Sequence, residues 1–263
     1  MRANRGFGPL ALYAAGCYLF LYLPIVVLTV FSFNTSRFSV AWEGFTWKWY
    51  RELAMDPLVL TALWNSAAIA VSSMILATVI GTLTAYGLYR YRFRGKGLFD
   101  GILFLPIVTP EIVVGISLVI FFVMVRFPLG HSTIIAAHVA FCIPFVMLVV
   151  RARLQGMDRS LVDAAMDLGA DEWTAFCKVT LPQLAPGIAS GALLAFTLSF
   201  NDFVITFFVT GIGSTTLPLK VYAMVRLGVS PKINALSALI IICSILLICL
   251  ADRLQRIRGV ADG

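Results

Sequence analysis

The chain is poor in charge. Only 13% of its 263 residues are Asp, Glu, Lys or Arg, against about 25% in an ordinary soluble domain. Hydrophobic residues make up 60% and the mean hydropathy is +0.94, which excludes water as the main solvent. Histidine is scarcer still. His131 and His138 are the only two, seven residues apart and with no paired acid motif, so no zinc-hydrolase or nucleophile–base arrangement can be assembled from the sequence. The five cysteines, Cys17, Cys142, Cys177, Cys243 and Cys249, lie apart without a C-x-x-C pair and read as small hydrophobes. No G-x-x-x-x-G-K-[S/T] phosphate cradle occurs, and Arg94-Gly95-Lys96-Gly97 lacks the rest of one, so the chain is expected to hold no cofactor and to hydrolyse no ATP by itself.

Long apolar runs are what remain. They fall at about 10–33, 61–88, 99–125, 132–151, 186–208 and 235–252, each near the roughly 20 residues a helix needs to cross hydrocarbon. Continuous rather than alternating hydrophobicity argues against a barrel. The expected fold is an all-α membrane protein with six transmembrane helices, forming one transmembrane domain over residues 1–263. Arg2 and Arg5 precede the first run, which continues past Pro24 without a small-residue cleavage site and therefore reads as a retained span.

The net charge of +7 would suggest nucleic acid in a soluble protein; here it is read by position, and no nucleic-acid partner is expected. With the N-terminus inside, the cytoplasmic segments hold Arg2, Arg5, Arg90, Arg92, Arg94, Lys96, Arg151, Arg153, Arg159, Lys178, Arg253, Arg256 and Arg258. The outer segments hold Arg37, Lys48, Arg51, Arg126, Lys220, Arg226 and Lys232. This bias places both termini in the cytoplasm. The first outer loop carries Trp42, Trp47, Trp49 and Tyr50 in a stretch able to lie as an interfacial helix, with anchoring at the headgroups of membrane lipid as their simplest role.

The inner connection at 152–185 is long and polar yet patterned. Ser160 can cap a short helix with Asp163 as its N3 acid; Gly169 stands where a left-handed residue ends that helix; Asp171 can cap a second helix reaching about Thr180, before Pro182. A cytoplasmic helix–turn–helix is expected. Ala164 and Ala165 leave a flat face that another protein's groove can approach closely. Asp158, Asp163, Asp167, Asp171 and Glu172 argue against a loop lying on anionic lipid.

These residues resemble the loop signature of importer permeases of the ATP-binding-cassette class: E-A-A, three residues, G, nine residues, I, one residue, L-P. Asp163-Ala164-Ala165, Gly169, Val179 and Leu181-Pro182 fall at those spacings, with Asp for Glu and Val for Ile. The resemblance implies that 152–185 is a coupling loop inserting a helix into a cleft of a separate ATPase subunit, and that Asp163, Ala164, Ala165, Gly169, Leu181 and Pro182 are docking residues. It also implies an ATPase subunit dimer, which binds the ATP and magnesium, and a location in a bacterial inner membrane. Arg90 to Lys96 would border the ATPase.

Two acids stand inside apolar runs, Glu111 after Pro110 and Asp202 after Asn201. Each costs on the order of a few kcal/mol unless paired or wet. Their depths from the inner ends are similar, about 20 and 24 Å at helical rise. Two carboxylates without a basic sequence neighbour suit a cationic passenger with more than one amine. Glu111, Asp202 and Asn201 are thus the candidate pathway residues. Alternatively, Glu111 caps backbone freed by Pro106 and Pro110, and Asp202 pairs with a partner subunit. Phe200, Phe203 and Phe207 and the intramembrane His138 read as packing before any role toward cargo.

Further stretches, S-F-N-T-S-R-F, W-E-G-F-T-W-K-W-Y, R-Y-R-F-R-G-K and L-P-L-K-V-Y-A-M-V-R-L-G-V-S-P-K-I-N-A-L, are similar to those of spermidine/putrescine importer permeases. That likeness implies a periplasmic polyamine-binding protein and a sister permease forming a heterodimer. Another cationic or small organic solute is the alternative cargo. A stand-alone secondary transporter is disfavoured because no internal repeat with paired broken segments is visible.

Overall fold

The structure, a computed structural model, describes residues 7–36, 41–158, 160–228 and 230–245. Among them the chain is helical, with no strand beyond an isolated antiparallel bridge between Asn34 and Phe45. It divides into two compact units, Met1–Leu60 with Lys220–Gly263, and Thr61–Leu219.

In the first unit, α1 (Phe7–Phe31) contains a 22-residue apolar stretch, Leu10–Phe31, of which nothing is buried within the chain. A helix apolar all round and uncovered by its own chain is what a lipid-facing span requires. The turn after it folds around Asn34: its side chain donates to the Ala41 carbonyl (2.6 Å) and accepts from the Glu43 amide (2.9 Å). The Trp49 indole donates to the Asn34 carbonyl (2.7 Å), and Phe33 stacks on Phe45 with the Trp47 ring edge-on. The expected outer helix is present as α2 (Lys48–Ala54), but Trp49 on it is buried, so this indole is core rather than a headgroup anchor.

The long helix α3 (Pro57–Arg90) starts with Asp56 accepting from the Leu58 and Val59 amides and with Pro at the first helical position. The other Asp56 oxygen meets the Lys232 ammonium at 2.7 Å, tying the start of α3 to a later apolar helix, Pro231–Ile245.

In the second unit the expected 99–125 span is two helices, α4 (Lys96–Val108) and α5 (Glu111–Met124), bent by 110° at Thr109–Pro110. Pro110 lacks the amide a continuous helix would use and forces Thr109 into extended backbone. Next comes α6 (His131–Gln155), the most buried of the membrane-length helices. The short α7 (Ser160–Asp167) and α8 (Glu172–Ala175) follow; α8 passes through a π-type turn, Phe176–Thr180, straight into α9 (Leu181–Asn201). The second loop helix therefore does not stop before Pro182. The wider π turn absorbs the missing Pro182 amide, so helix runs unbroken from Glu172 to Asn201. The expected 186–208 span instead breaks at Asp202, after which α10 (Val204–Val209) begins; α11 is Leu217–Arg226 and α12 is the helix Pro231–Ile245. Two of the expected spans are thus broken, one at Thr109–Pro110 and one at Asp202. The sixth expected span, 235–252, lies partly outside the described residues.

Every fourth residue of α9 is small and buried: Gly187, Gly191, Ala195, Ser199. Facing them on α6 are the Arg153 stem, Val146, Cys142 and His138. A β-carbon on Gly191 would sit 3.2 Å from Val146. With no hydrophobic drive between helices in lipid, such small-residue stripes set how closely backbones approach.

Candidate functional site

The polar loop between α6 and α9 is built from local hydrogen bonds. The Asp158 carboxylate accepts the Ser160 amide at 2.9 Å, so Asp158 rather than Ser160 serves the orphan donors of α7, of which Ser160 is the first residue. At the other end the Gly169 amide reaches the Met166 carbonyl (2.9 Å) and the Ala170 amide reaches Ala165 (3.1 Å), the paired bonds of a glycine-terminated helix. Gly169 has φ +89°, which a side chain rarely tolerates. Asp171 caps α8 as expected, accepting the Thr174 amide at 3.1 Å. The Ser160 amide and hydroxyl hold the Asp158 carboxyl below the usual carboxylate range, and the Thr174 hydroxyl and amide do the same for Asp171.

Of the predicted docking residues, Asp163, Ala164, Gly169, Leu181 and Pro182 are exposed and Ala165 is half-buried. Around them Leu161, Met166, Leu168 and Trp173 are also exposed, Leu168 by 90%. A short helix pair with uncovered apolar side chains on a rigid turn offers a surface for another protein. It is anchored from below by Phe176, buried against the Tyr86 ring (centroids 4.5 Å apart). Glu172 adds an anchor that sequence reasoning missed: it pairs with Arg90 (3.4 Å) and accepts from the Tyr91 hydroxyl (3.0 Å). Arg90 and Tyr91 are 82 and 81 residues away, so no local signal could reveal them.

The two acids of the apolar runs have different environments. Glu111 opens α5 and is exposed, and Asn201 is exposed at the end of α9. Asp202 is buried, and its carboxylate accepts from the Ile205 amide (3.3 Å), the Thr206 amide and hydroxyl (2.7 Å each) and His138 Nε2 (3.2 Å). It caps α10 across the break. The Asp202 partner is thus a histidine of its own chain, 64 residues upstream. Phe200 stacks on Phe196, and Phe203 lies 5.7 Å from Phe207, which fits their reading as packing. Among the described residues no group of His, Cys, Asp and Glu could hold a metal.

Apolar helices of membrane length, two of them broken, with a capped, exposed polar loop between α6 and α9, describe a polytopic membrane protein. Residues 77–258 match the family of binding-protein-dependent transport system inner membrane components. The chain is 45% identical over 239 residues to the spermidine/putrescine transport system permease protein PotC of Escherichia coli (strain K12), covering 91% of this chain and 90% of that one. It is 43% identical over 231 residues to the putrescine transport system permease protein PotI of the same strain, covering 85% and 82%. Its fold superposes with TM-score 0.77 on a chain from the crystal structure of a bacterial ABC transporter that imports the acidic polysaccharide alginate, at 19% identity and covering 96% and 98%. The chain belongs to the family of binding-protein-dependent transport system inner membrane components. It is a membrane component of transport and not an enzyme.

Proposed function

We propose that the chain is the permease subunit of an ATP-driven polyamine importer in a bacterial inner membrane, moving spermidine or putrescine inward by alternating access. In this reading residues 1–263 form one permease domain of six spans with both termini in the cytoplasm, and 152–185 is the cytoplasmic coupling loop. Asp163, Ala164, Ala165, Gly169, Leu181 and Pro182 dock into one subunit of an ATPase dimer, which alone holds ATP and magnesium. A sister permease completes the pathway as a heterodimer, and a periplasmic binding protein delivers cargo. Closure of the ATPase around ATP moves the coupling helix, and the helix rotates the spans from inward- to outward-facing. Glu111 and Asn201, exposed at the two helix breaks, supply oxygen acceptors to a flexible cation with several ammonium groups, and Asp202 next to Asn201 sets the break from which Asn201 projects.

The observation that carries this reading is the loop itself: a glycine-terminated helix with its apolar side chains exposed, at the spacing of the importer signature. The names of relatives at 43–45% identity support the cargo. The test is spermidine and putrescine uptake in cells expressing the complete system, comparing wild type with Asp202→Asn and Glu111→Gln at equal membrane abundance. Loss of uptake in both variants, with ATPase binding retained, is the expected result. A wild type that takes up neither polyamine while its ATPase still responds to the binding protein would move the cargo to another cationic or small organic solute.

A further inference from the structure

At the break between α9 and α10, three helices meet in one buried hydrogen-bond cluster. His138 of α6 is 1% exposed, Ser199 of α9 6%, Asp202 9% and Thr206 of α10 0%. His138 Nδ1 lies 2.7 Å from the Ser199 hydroxyl, and Nε2 lies 3.2 Å from Asp202 Oδ2 and 3.0 Å from Thr206 Oγ1. The Thr206 hydroxyl already donates to the carboxylate, so both groups facing Nε2 are acceptors and Nε2 carries the proton. His138 then accepts the Ser199 proton at Nδ1 when neutral. Every ring nitrogen and both carboxylate oxygens are used, and no other charged side chain bonds to the cluster among the described residues.

The cluster has a mechanical position. Helix is continuous from Glu172 in the polar loop to Asn201, roughly 45 Å at 1.5 Å per residue. The loop and the break are thus the two ends of one helix, with the π turn at Phe176–Thr180 and Pro186 along it and the small-residue stripe holding α9 close to α6. His138 is the point at which α6 grips both sides of the break: Ser199 before it, Asp202 and Thr206 after it.

We propose that His138 is a positioning residue for transport, tying Ser199 before the break and Asp202 after it to α6 so that motion of α9 is passed across the break instead of being lost in it. The role rests on the importer reading above, and it acts through Asp202 and Ser199, not by contact with cargo. Removing the ring leaves the Asp202 cap bonded to Thr206 and the Thr133 hydroxyl of α6 bonded to the Val209 carbonyl, but unties α6 from Ser199 and Asp202. The variant should then still bind cargo-loaded binding protein and hydrolyse ATP, but translocate poorly.

The experiment uses the complete complex in proteoliposomes, measuring radiolabelled spermidine uptake and ATP hydrolysis together for wild type, His138→Ala, His138→Gln and Ser199→Ala. His138→Ala is expected to lower the maximal uptake rate at least tenfold, with the half-saturating spermidine concentration unchanged and more ATP spent per spermidine. His138→Gln, whose amide reaches the place of Nε2, should recover most of the rate, and Ser199→Ala should lie between. His138→Ala with wild-type uptake would overturn the proposal. So would equal losses of uptake and assembled complex in His138→Ala and His138→Gln, which would make the cluster a matter of folding alone. Failure of the cargo assignment is separate, because it shows as absent spermidine uptake in the wild type.

Discussion

At the scale of the residue, Gly169 makes the sharpest demand. Its φ of +89° is left-handed, and no atom lies within 4 Å of where a β-carbon would stand, so a substitution meets backbone strain and no collision. Valine there costs on the order of 1–3 kcal/mol, enough to unravel an exposed eight-residue helix that has few other supports. Gly169→Val is expected to insert into the membrane normally yet to lose ATPase co-purification by about tenfold or more, whereas Gly169→Asn, which tolerates the left-handed region, should keep most of it. Asp56 supplies the pH-dependent case. The Lys232 ammonium holds its carboxyl below the ordinary range, so its folded value is depressed relative to the unfolded value near about 3.9. The stabilisation is therefore full above the unfolded value and is lost as pH falls through the folded one. Asp56→Asn keeps an amide cap for α3 but loses the charge pair, a loss of no more than about 1 kcal/mol at a partly exposed site. Thermal unfolding in detergent should find the variant a few degrees less stable than wild type at pH 7, with the gap narrowing as pH falls below the unfolded carboxylate value; a gap independent of pH would assign the difference to capping instead.

At the scale of the element, the informative features are the breaks. Gly115 on α5 faces α10, and a β-carbon there would lie 2.7 Å from the Phe208 ring. Gly115→Val must move Phe208 or part the two helices, an overpacking that costs about 1–3 kcal/mol. Uptake should fall with a matching loss of thermal stability, and Phe208→Ala in the same chain should restore part of both, since the second change opens the space the first one needs. Gly115→Val with unchanged uptake and stability would mean that α5 and α10 do not pack this closely. How much of this was legible follows from the range of the interactions. Membrane helices are visible in the sequence because twenty apolar residues are a local property, and the break at Pro110 could have been read from the proline. Much of the polar loop was legible, since the Gly169 turn and the Asp171 cap close within five residues; the Asp158 cap, the run of helix through Pro182 and the Glu172 pairing with Arg90 and Tyr91 were not. The break at Asp202 was not legible. It depends on His138 arriving from α6 and on a carboxylate capturing the amides of Ile205 and Thr206, in a segment whose hydrophobicity continues across the break. Trp49 was misread for the same reason, because its partner carbonyl belongs to Asn34, fifteen residues back across a turn.

At the scale of the whole molecule, the reading turns on which side of the membrane the polar loop occupies. ATP and its hydrolysing subunit are cytoplasmic, so a loop built to dock that subunit has a use only inside. The charge bias points the same way: Arg90, Arg92, Arg94, Lys96, Arg151, Arg153 and Lys178 flank the ends of helices on the loop's side, whereas the connection between α5 and α6 carries Arg126 alone. Fusing alkaline phosphatase, which folds only outside, after residue 128 is expected to give high activity, and fusing it within 156–158 or after residue 263 to give almost none; a fluorescent protein that matures only in the cytoplasm should report the reverse. High phosphatase activity from the 156–158 fusion would place the capped loop in the periplasm. Its exposed Leu168 and Trp173 would then face the binding protein, and both the ATPase docking and the path of force along α9 would have to be given up.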